Sequence, residues 1–139
     1  MEIGNATIDE AVKIGIAREK CKFIPNGISP KDFSGKYERE EISNILGADI
    51  EDKKIVFRLA RFVPHKGTSW FLENVMPTLP KNVIMVAAGG RVGKRSAGDK
   101  DDFIVCEKII KEKKLENRVW LFPNISEKNK KILLNTVDL

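Results

Sequence analysis

Two permanent cations, Arg61 and Lys66, lie in the segment Ala60-Arg61-Phe62-Val63-Pro64-His65-Lys66-Gly67, between an apolar β-branched run and an amphipathic one. That order predicts a loop that leaves a buried strand and enters a helix. Backbone N–H groups and the dipole at a helix N-terminus favour an anion there. The planar guanidinium of Arg61 can give two parallel bonds to phosphate oxygens, and Lys66 adds a compact charge. Gly67 lets backbone approach closely at the start of the helix. The layout suits a grip on a diphosphate. Loop cations are also common as plain solvated charge, so the surrounding elements must decide. His65 could serve as a pH-sensitive phosphate donor, but is read as partly exposed and non-catalytic.

Short β-branched runs alternate with longer amphipathic ones along the chain, the signature of βαβ units and a parallel sheet. Thr7 and Glu10 have capping-box spacing and open a helix to about Ala17. Cys21 to Pro25 is expected as a short strand closed by the Asn26-Gly27 turn, where Asn tolerates positive φ. Glu38 to Leu46 forms a helix stopped by Gly47. Lys54 to Ala60 is a strand, and Trp70, Phe71, Val75 and Met76 make one apolar stripe on the helix after Gly67. Val83 to Ala87 is apolar enough for a central strand covered on both faces.

A Gly- and Arg-rich loop, Gly89 to Gly98, leads to a helix near Asp101 to Lys114 with Phe103, Cys106, Ile109 and Ile110 facing inward. Val119 to Phe122 is another strand, and Ser126 caps a helix to about Thr136. Val137-Asp138-Leu139 reads as the start of a further strand. The expected fold is therefore α/β: a Rossmann-like parallel sheet of about five strands, the last truncated, with helices on both faces, all in one domain of residues 1–139. Ligands of such sheets sit beyond the strand carboxyl ends. The loops after Leu59, Ala87 and Phe122 should then share one edge. Trp70 and Trp120, on apolar stripes, are expected in the core.

Other chemistries fit less well. Ala88-Gly89-Gly90-Arg91-Val92-Gly93-Lys94-Arg95 lacks the first glycine of a P-loop, and Arg95 replaces its Ser/Thr; a dinucleotide Gly-x-Gly-x-x-Gly fails at Arg91. Cys21, Cys106 and His65 have no zinc-ligand spacing, and reduced thiols in a cytoplasmic protein are expected. No apolar run approaches the ~20 residues of a membrane span, and Met1 to Asn5 has no signal-peptide character. The net charge of +5, from 25 basic and 20 acidic residues, is spread along predicted helix faces. Without interleaved aromatic residues it gives no single-strand stacking surface, so no nucleic-acid partner is expected.

Four collinear segments resemble family 4 (group 1) glycosyltransferases of the GT-B type. Leu59 to Gly67 is similar to that family's Gly-Arg-(Leu/Phe)-x-x-x-x-Lys-Gly segment. Phe23-Ile24-Pro25-Asn26-Gly27-Ile28, with Asp32-Phe33, resembles the segment after the interdomain linker. Val86-Ala87-Ala88-Gly89-Gly90 resembles a glycine-rich strand end. Arg118 to Phe122, with Val137-Asp138, resembles the segment ending in Ala-Asp. The resemblance spans nearly the whole chain and implies the nucleotide-sugar-binding half of a retaining enzyme that needs no metal or other cofactor. Its donor is a nucleoside-diphosphate sugar.

Under that resemblance Arg61 and Lys66 hold the donor diphosphate and offset charge on the leaving group. Ala60, Gly67, Gly89 and Gly90 border the donor, while Phe122, Pro123, Asn124 and Ile125 match the turn whose backbone lies against the nucleobase. Arg91, Lys94 and Arg95 add positive field. Ala60 stands where the family usually has Gly, Pro123 or Asn124 where a Gly is common, and Ser29 where Asp is usual. The family's Glu-x7-Glu segment would follow Leu139, and its acceptor-binding N-terminal domain would precede this chain, so this portion alone is expected to be inactive. Peripheral membrane association of the whole enzyme fits the same family. A non-catalytic nucleotide or anion-binding module, or one half of a split enzyme, is the alternative.

Overall fold

The protein is described by a computed structural model covering residues 5–25, 27, 29–30, 35–91 and 101–139. The chain divides into two units, Met1–Asp32 and Phe33–Leu139. In the first, helix α1 spans Asn5–Lys13, so Thr7 lies inside the helix instead of capping it. The helix also stops short of Ala17. Gly15 takes a left-handed φ of 97°, its N–H bonds to the Val12 carbonyl at 3.0 Å, and Ile16 N–H reaches the Ala11 carbonyl at 3.0 Å. This double closure satisfies the last carbonyls and turns the chain away.

Residues 21–25 form no strand, which corrects the expected strand from Cys21 to Pro25. β-branched and aromatic composition supplies propensity only, and a strand exists when a neighbouring edge takes up its N–H and C=O groups. The Asn26 turn, Ile28 and Asp32-Phe33 lie outside the described residues, as do Lys94 and Arg95.

The second unit begins with helix α2, Arg39–Leu46, where the Glu41 carboxylate accepts from the Glu38 N–H at 3.0 Å. Gly47 ends it at a φ of 63°. Strands β1 (Lys54–Leu59), β2 (Val83–Ala88) and β3 (Val119–Phe122) form a parallel sheet in the order β1-β2-β3. Helices α3 (Thr68–Asn74), α4 (Asp102–Glu112) and α5 (Glu127–Thr136) complete the unit.

Alternation along β2 sorts the core into two layers, because successive side chains point to opposite faces. Met85 and Ala87 pack with Leu72, Phe103 and Cys106 of α3 and α4. Ile84 and Val86 pack with Ile42 and Leu46 of α2 and Ile132 and Leu133 of α5. Burial on both faces requires a strand that is apolar throughout, and β2 is one. The fold class is thus α/β, a parallel sheet flanked by helices.

Val137 to Leu139 follows the free edge of β1. Leu139 N–H donates to the Ile55 carbonyl at 3.1 Å, and Phe57 N–H donates to the Leu139 carbonyl at 2.6 Å. That alternation is the pattern of parallel pairing opposite Val56. Asp138 anchors it: its carboxylate accepts from Ile55 N–H at 2.9 Å and from Lys54 Nζ at 3.2 Å, with Arg39 at 3.5 Å.

Trp70 departs from expectation. It is 63% exposed, because the inward positions of the seven-residue helix α3 are Thr68 and Leu72. Trp70 lies two residues from each, on the opposite side at 3.6 residues per turn. Trp120 is partly buried against the α2–α5 layer, its indole N–H on the Leu46 carbonyl at 3.1 Å.

Candidate functional site

Leu59 pairs with Ala88 and Ala88 with Phe122, so the three strands end in one row and their loops leave from one edge. Hydrogen bonds join the loops just beyond that row. Ala60 N–H donates to the Ala88 carbonyl at 2.9 Å, Gly89 N–H to the Phe122 carbonyl at 3.0 Å, and Phe62 N–H to the Gly90 carbonyl at 3.0 Å. Phe62 and Arg91 extend the β1–β2 pairing by one isolated bridge.

The crossing is tight. A Cβ on Gly89 would overlap the Ala60 carbonyl group and stand 3.1 Å from Arg61 N, and Gly89 holds a φ of 151°. Glycine at 89 therefore serves the chain's own crossing, while a Cβ at Gly90 would meet open space.

The phosphate-loop candidate is shaped by which side chains it buries. Phe62 and Val63 are 1% and 0% exposed, and Phe62 sets its ring edge-on to Phe103 at 5.1 Å. With those two drawn inward, Arg61 faces solvent. Pro64–Lys66 then forms a 3-10 turn whose polar residues, His65 and Lys66, are exposed. Gly67 ends the turn at a φ of 71°, where its N–H bonds to the Pro64 carbonyl at 2.9 Å. Neither Arg61 nor Lys66 has a side-chain hydrogen bond or ion pair among the described residues.

A second layer of polar groups holds this loop from beneath. Arg58 Nε donates to the Thr68 hydroxyl at 2.9 Å, and Thr68 is 1% exposed. Asp102 is 2% exposed; its carboxylate accepts from Ser69 N–H at 3.2 Å, and its own N–H donates to the Phe62 carbonyl at 3.3 Å. The first turn of α3 is thereby capped by a carboxylate from α4.

Asp101, next door, caps α4 itself through Phe103 N–H at 3.1 Å and pairs with Arg91 at 2.6 Å. Arg91 also lies 4.7 Å over the Phe103 ring. Arg58, Thr68 and Asp102 were missed from the sequence. The available signal was the doubled acid Asp101-Asp102 at the head of α4, where one cap is enough.

Cys106 donates to the Asp102 carboxylate at 3.8 Å. Burial first, then the negative charge and bond of Asp102, push its thiol up to about 12. It stays protonated near neutrality and is a packing residue, since reactivity requires thiolate. Among the described residues no group of three or more His, Cys, Asp or Glu is placed to hold a metal ion, and no helix is long and apolar enough to cross a membrane.

After β3, Pro123 and Ile125 are half-buried and Asn124 is exposed. Ile125 packs against the α2–α5 layer. Ser126 caps α5 through Asn129 N–H at 3.1 Å. The structure thus brings Ala60, Arg61, Gly89, Gly90 and the Pro123–Ile125 turn to one edge, and places Lys66 and Gly67 on the turn that leaves it.

No family model matches the sequence, and the comparison with curated proteins gives no match. Solved structures do match in fold. HepE from Anabaena in complex with UDP-glucose is similar over 89% of this chain with a TM-score of 0.67 and 23% identity. The same protein with UDP and glucose gives 0.63 and 22% over 88%. Sucrose-phosphate synthase from Thermosynechococcus elongatus gives 0.63 and 21% over 95%. This chain spans about a third of those proteins' length, 32% of each.

Proposed function

We propose that this chain is the donor-binding portion of a GT-B glycosyltransferase of family 4 type, taking a nucleoside-diphosphate sugar at the edge beyond Leu59, Ala88 and Phe122. The observation that carries the reading is the pair Arg61 and Lys66. They are exposed, have no partner among the described residues, and stand on a loop fixed by buried Phe62 and Val63. Cations carried on such a loop can offset the negative charge that develops on a leaving diphosphate. The fold likeness to a protein solved with UDP-glucose and to a sucrose-phosphate synthase supports the same reading.

In the proposed transfer, the bond from the sugar's anomeric carbon to the diphosphate breaks and a bond from that carbon to an acceptor oxygen forms. The nucleoside diphosphate leaves with the electron pair, the proton of the acceptor hydroxyl passes to a leaving-phosphate oxygen, and Arg61 and Lys66 offset the charge that remains. Retention of configuration and independence from a metal follow from the family resemblance. Ala60, Gly67, Gly89 and Gly90 border the diphosphate, and Pro123, Asn124 and Ile125 border the base.

Calorimetry with UDP, GDP and ADP against their nucleosides tests the site. At least one diphosphate should bind better than its nucleoside. Arg61→Ala and Lys66→Ala should each weaken it by ~1.5–3 kcal/mol, roughly tenfold to hundredfold. Lys111→Ala and Lys128→Ala, at fixed ionic strength, should change little. Equal losses at all four positions would reduce the site to diffuse attraction.

A further inference from the structure

The opposite edge of the sheet gathers cations that donor binding does not use. Lys53 precedes β1, Lys81 stands two residues before β2, and Arg118 directly precedes β3. Lys113 and Lys114 follow the last turn of α4. Parallel pairing puts all strand N-termini at one edge. These five cations consequently line one open cavity of about 450 Å³ that has no carboxylate and no aromatic ring among its described lining residues.

Their states differ. Arg118 is held in the wall: Nη2 donates to the Pro80 carbonyl at 2.8 Å and the Leu79 carbonyl at 3.1 Å, and Nε to the Val83 carbonyl at 3.1 Å. Lys113 pairs with Glu73 at 2.8 Å. Lys53, Lys81 and Lys114 have no side-chain hydrogen bond or ion pair among the described residues. Lys114 also has a φ of 55°, the sole non-glycine residue with positive φ among them. Glycine or asparagine is the usual occupant of such a position after a helix, so the backbone there does not call for lysine.

Cations at a helix C-terminus also offset its dipole. That accounts for Lys113 and Lys114 but not for Lys53 and Lys81, which come from other elements. Unpaired ammonium groups around one cavity repel each other, and a multivalent anion relieves that repulsion. Lysines suit phosphate as point charges. The lack of a ring removes the stacking that a nucleobase would use.

We propose that this cavity binds a phosphate-bearing polyanion through Lys53, Lys81 and Lys114, with Arg118 and Lys113 as its fixed positive wall. The phosphate comes from a soluble polyphosphate or from an anionic lipid headgroup. The site is independent of the donor reading, since it shares no residue with it.

The test uses the Arg61→Ala/Lys66→Ala chain, so that the donor loop cannot report. Labelled chain is titrated with inorganic tripolyphosphate by NMR and, separately, sedimented with phosphatidylcholine vesicles with or without phosphatidylglycerol. Two triple variants are compared, with circular dichroism as the check on folding. Lys53→Gln/Lys81→Gln/Lys114→Gly empties the cavity of free charge, and glycine suits the left-handed backbone at 114. Lys108→Gln/Lys111→Gln/Lys128→Gln removes the same charge elsewhere.

The cavity variant should weaken binding by about tenfold or more, and the charge-matched variant by less than about threefold. Loss confined to tripolyphosphate identifies a soluble ligand, and loss confined to phosphatidylglycerol vesicles identifies a headgroup; either supports the site. Equal losses in the two variants, or no binding of either probe, overturn it.

Discussion

The two edges of this sheet both carry cations, yet they hold them in different ways. At the strand C-termini, Arg61 and Lys66 belong to one continuous loop, turned outward because Phe62 and Val63 between them are buried. At the strand N-termini, Lys53, Lys81 and Arg118 come from three separate chain entries, with Arg118 committed to three backbone carbonyls. The first arrangement is set by a single stretch of sequence and stiffened by Asp102 and Gly89. The second exists only because the strands are parallel. A pair of charges within one motif can be recognised from its residues, whereas charges collected by topology cannot.

The largest effect should come from breaking the loop crossing at the C-terminal edge. Gly89→Ala puts a methyl against the Ala60 carbonyl at a φ of 151°. It should cost about 3 kcal/mol in urea denaturation and abolish nucleoside-diphosphate binding in whatever fraction stays folded. Wild-type stability in that variant would mean that the β1 and β2 loops do not cross so closely.

A smaller loss should follow at the other edge. Arg118→Lys removes the fork that serves Leu79, Pro80 and Val83 while keeping the charge. The expected cost is about 1–3 kcal/mol of stability, with donor affinity unchanged. If nucleotide binding falls along with stability, the two edges are not independent and the contrast drawn between them fails.

The smallest effect belongs to the chain end on β1. The Ile55 N–H, ahead of Lys54 and Arg39, holds the Asp138 carboxyl below its usual value, against an opposing effect of burial. A depressed folded-state value means stabilisation that is present above the unfolded value of about 3.9 and lost as pH falls through the folded one. Asp138→Asn should therefore lower stability by less than about 1 kcal/mol at neutral pH, with the difference closing in acid. A pH-independent difference in chemical denaturation would assign the effect to packing instead.

Much of the fold was legible because its signals are local. Gly47 stops α2, Ser126 caps α5, and the unbroken apolar run of β2 marks a strand covered on both faces. Gly15 carried equally plain information: a glycine in an amphipathic stretch ends α1 before Ala17. Elsewhere the local signal was misleading. The run from Cys21 to Pro25 has strand composition but no paired edge. Trp70 shares an apolar window with Phe71 and Met76, yet the burial of Thr68 and Leu72 turns it outward.

The sequence alone determined the alternation of strand and helix, the parallel sheet that alternation requires, and the outward cations of the Arg61–Gly67 loop. These follow from side-chain periodicity and capping, which act within a few residues. Tertiary structure alone decided that Asp102, not Asp101, caps the neighbouring helix through Ser69, and that Gly89 is needed by Ala60. It also decided that Lys53, Lys81 and Lys114 share one cavity. Each of these joins groups about 30 or more residues apart. Such contacts depend on strand register and helix packing, and these are fixed only when both faces of β2 are covered at once.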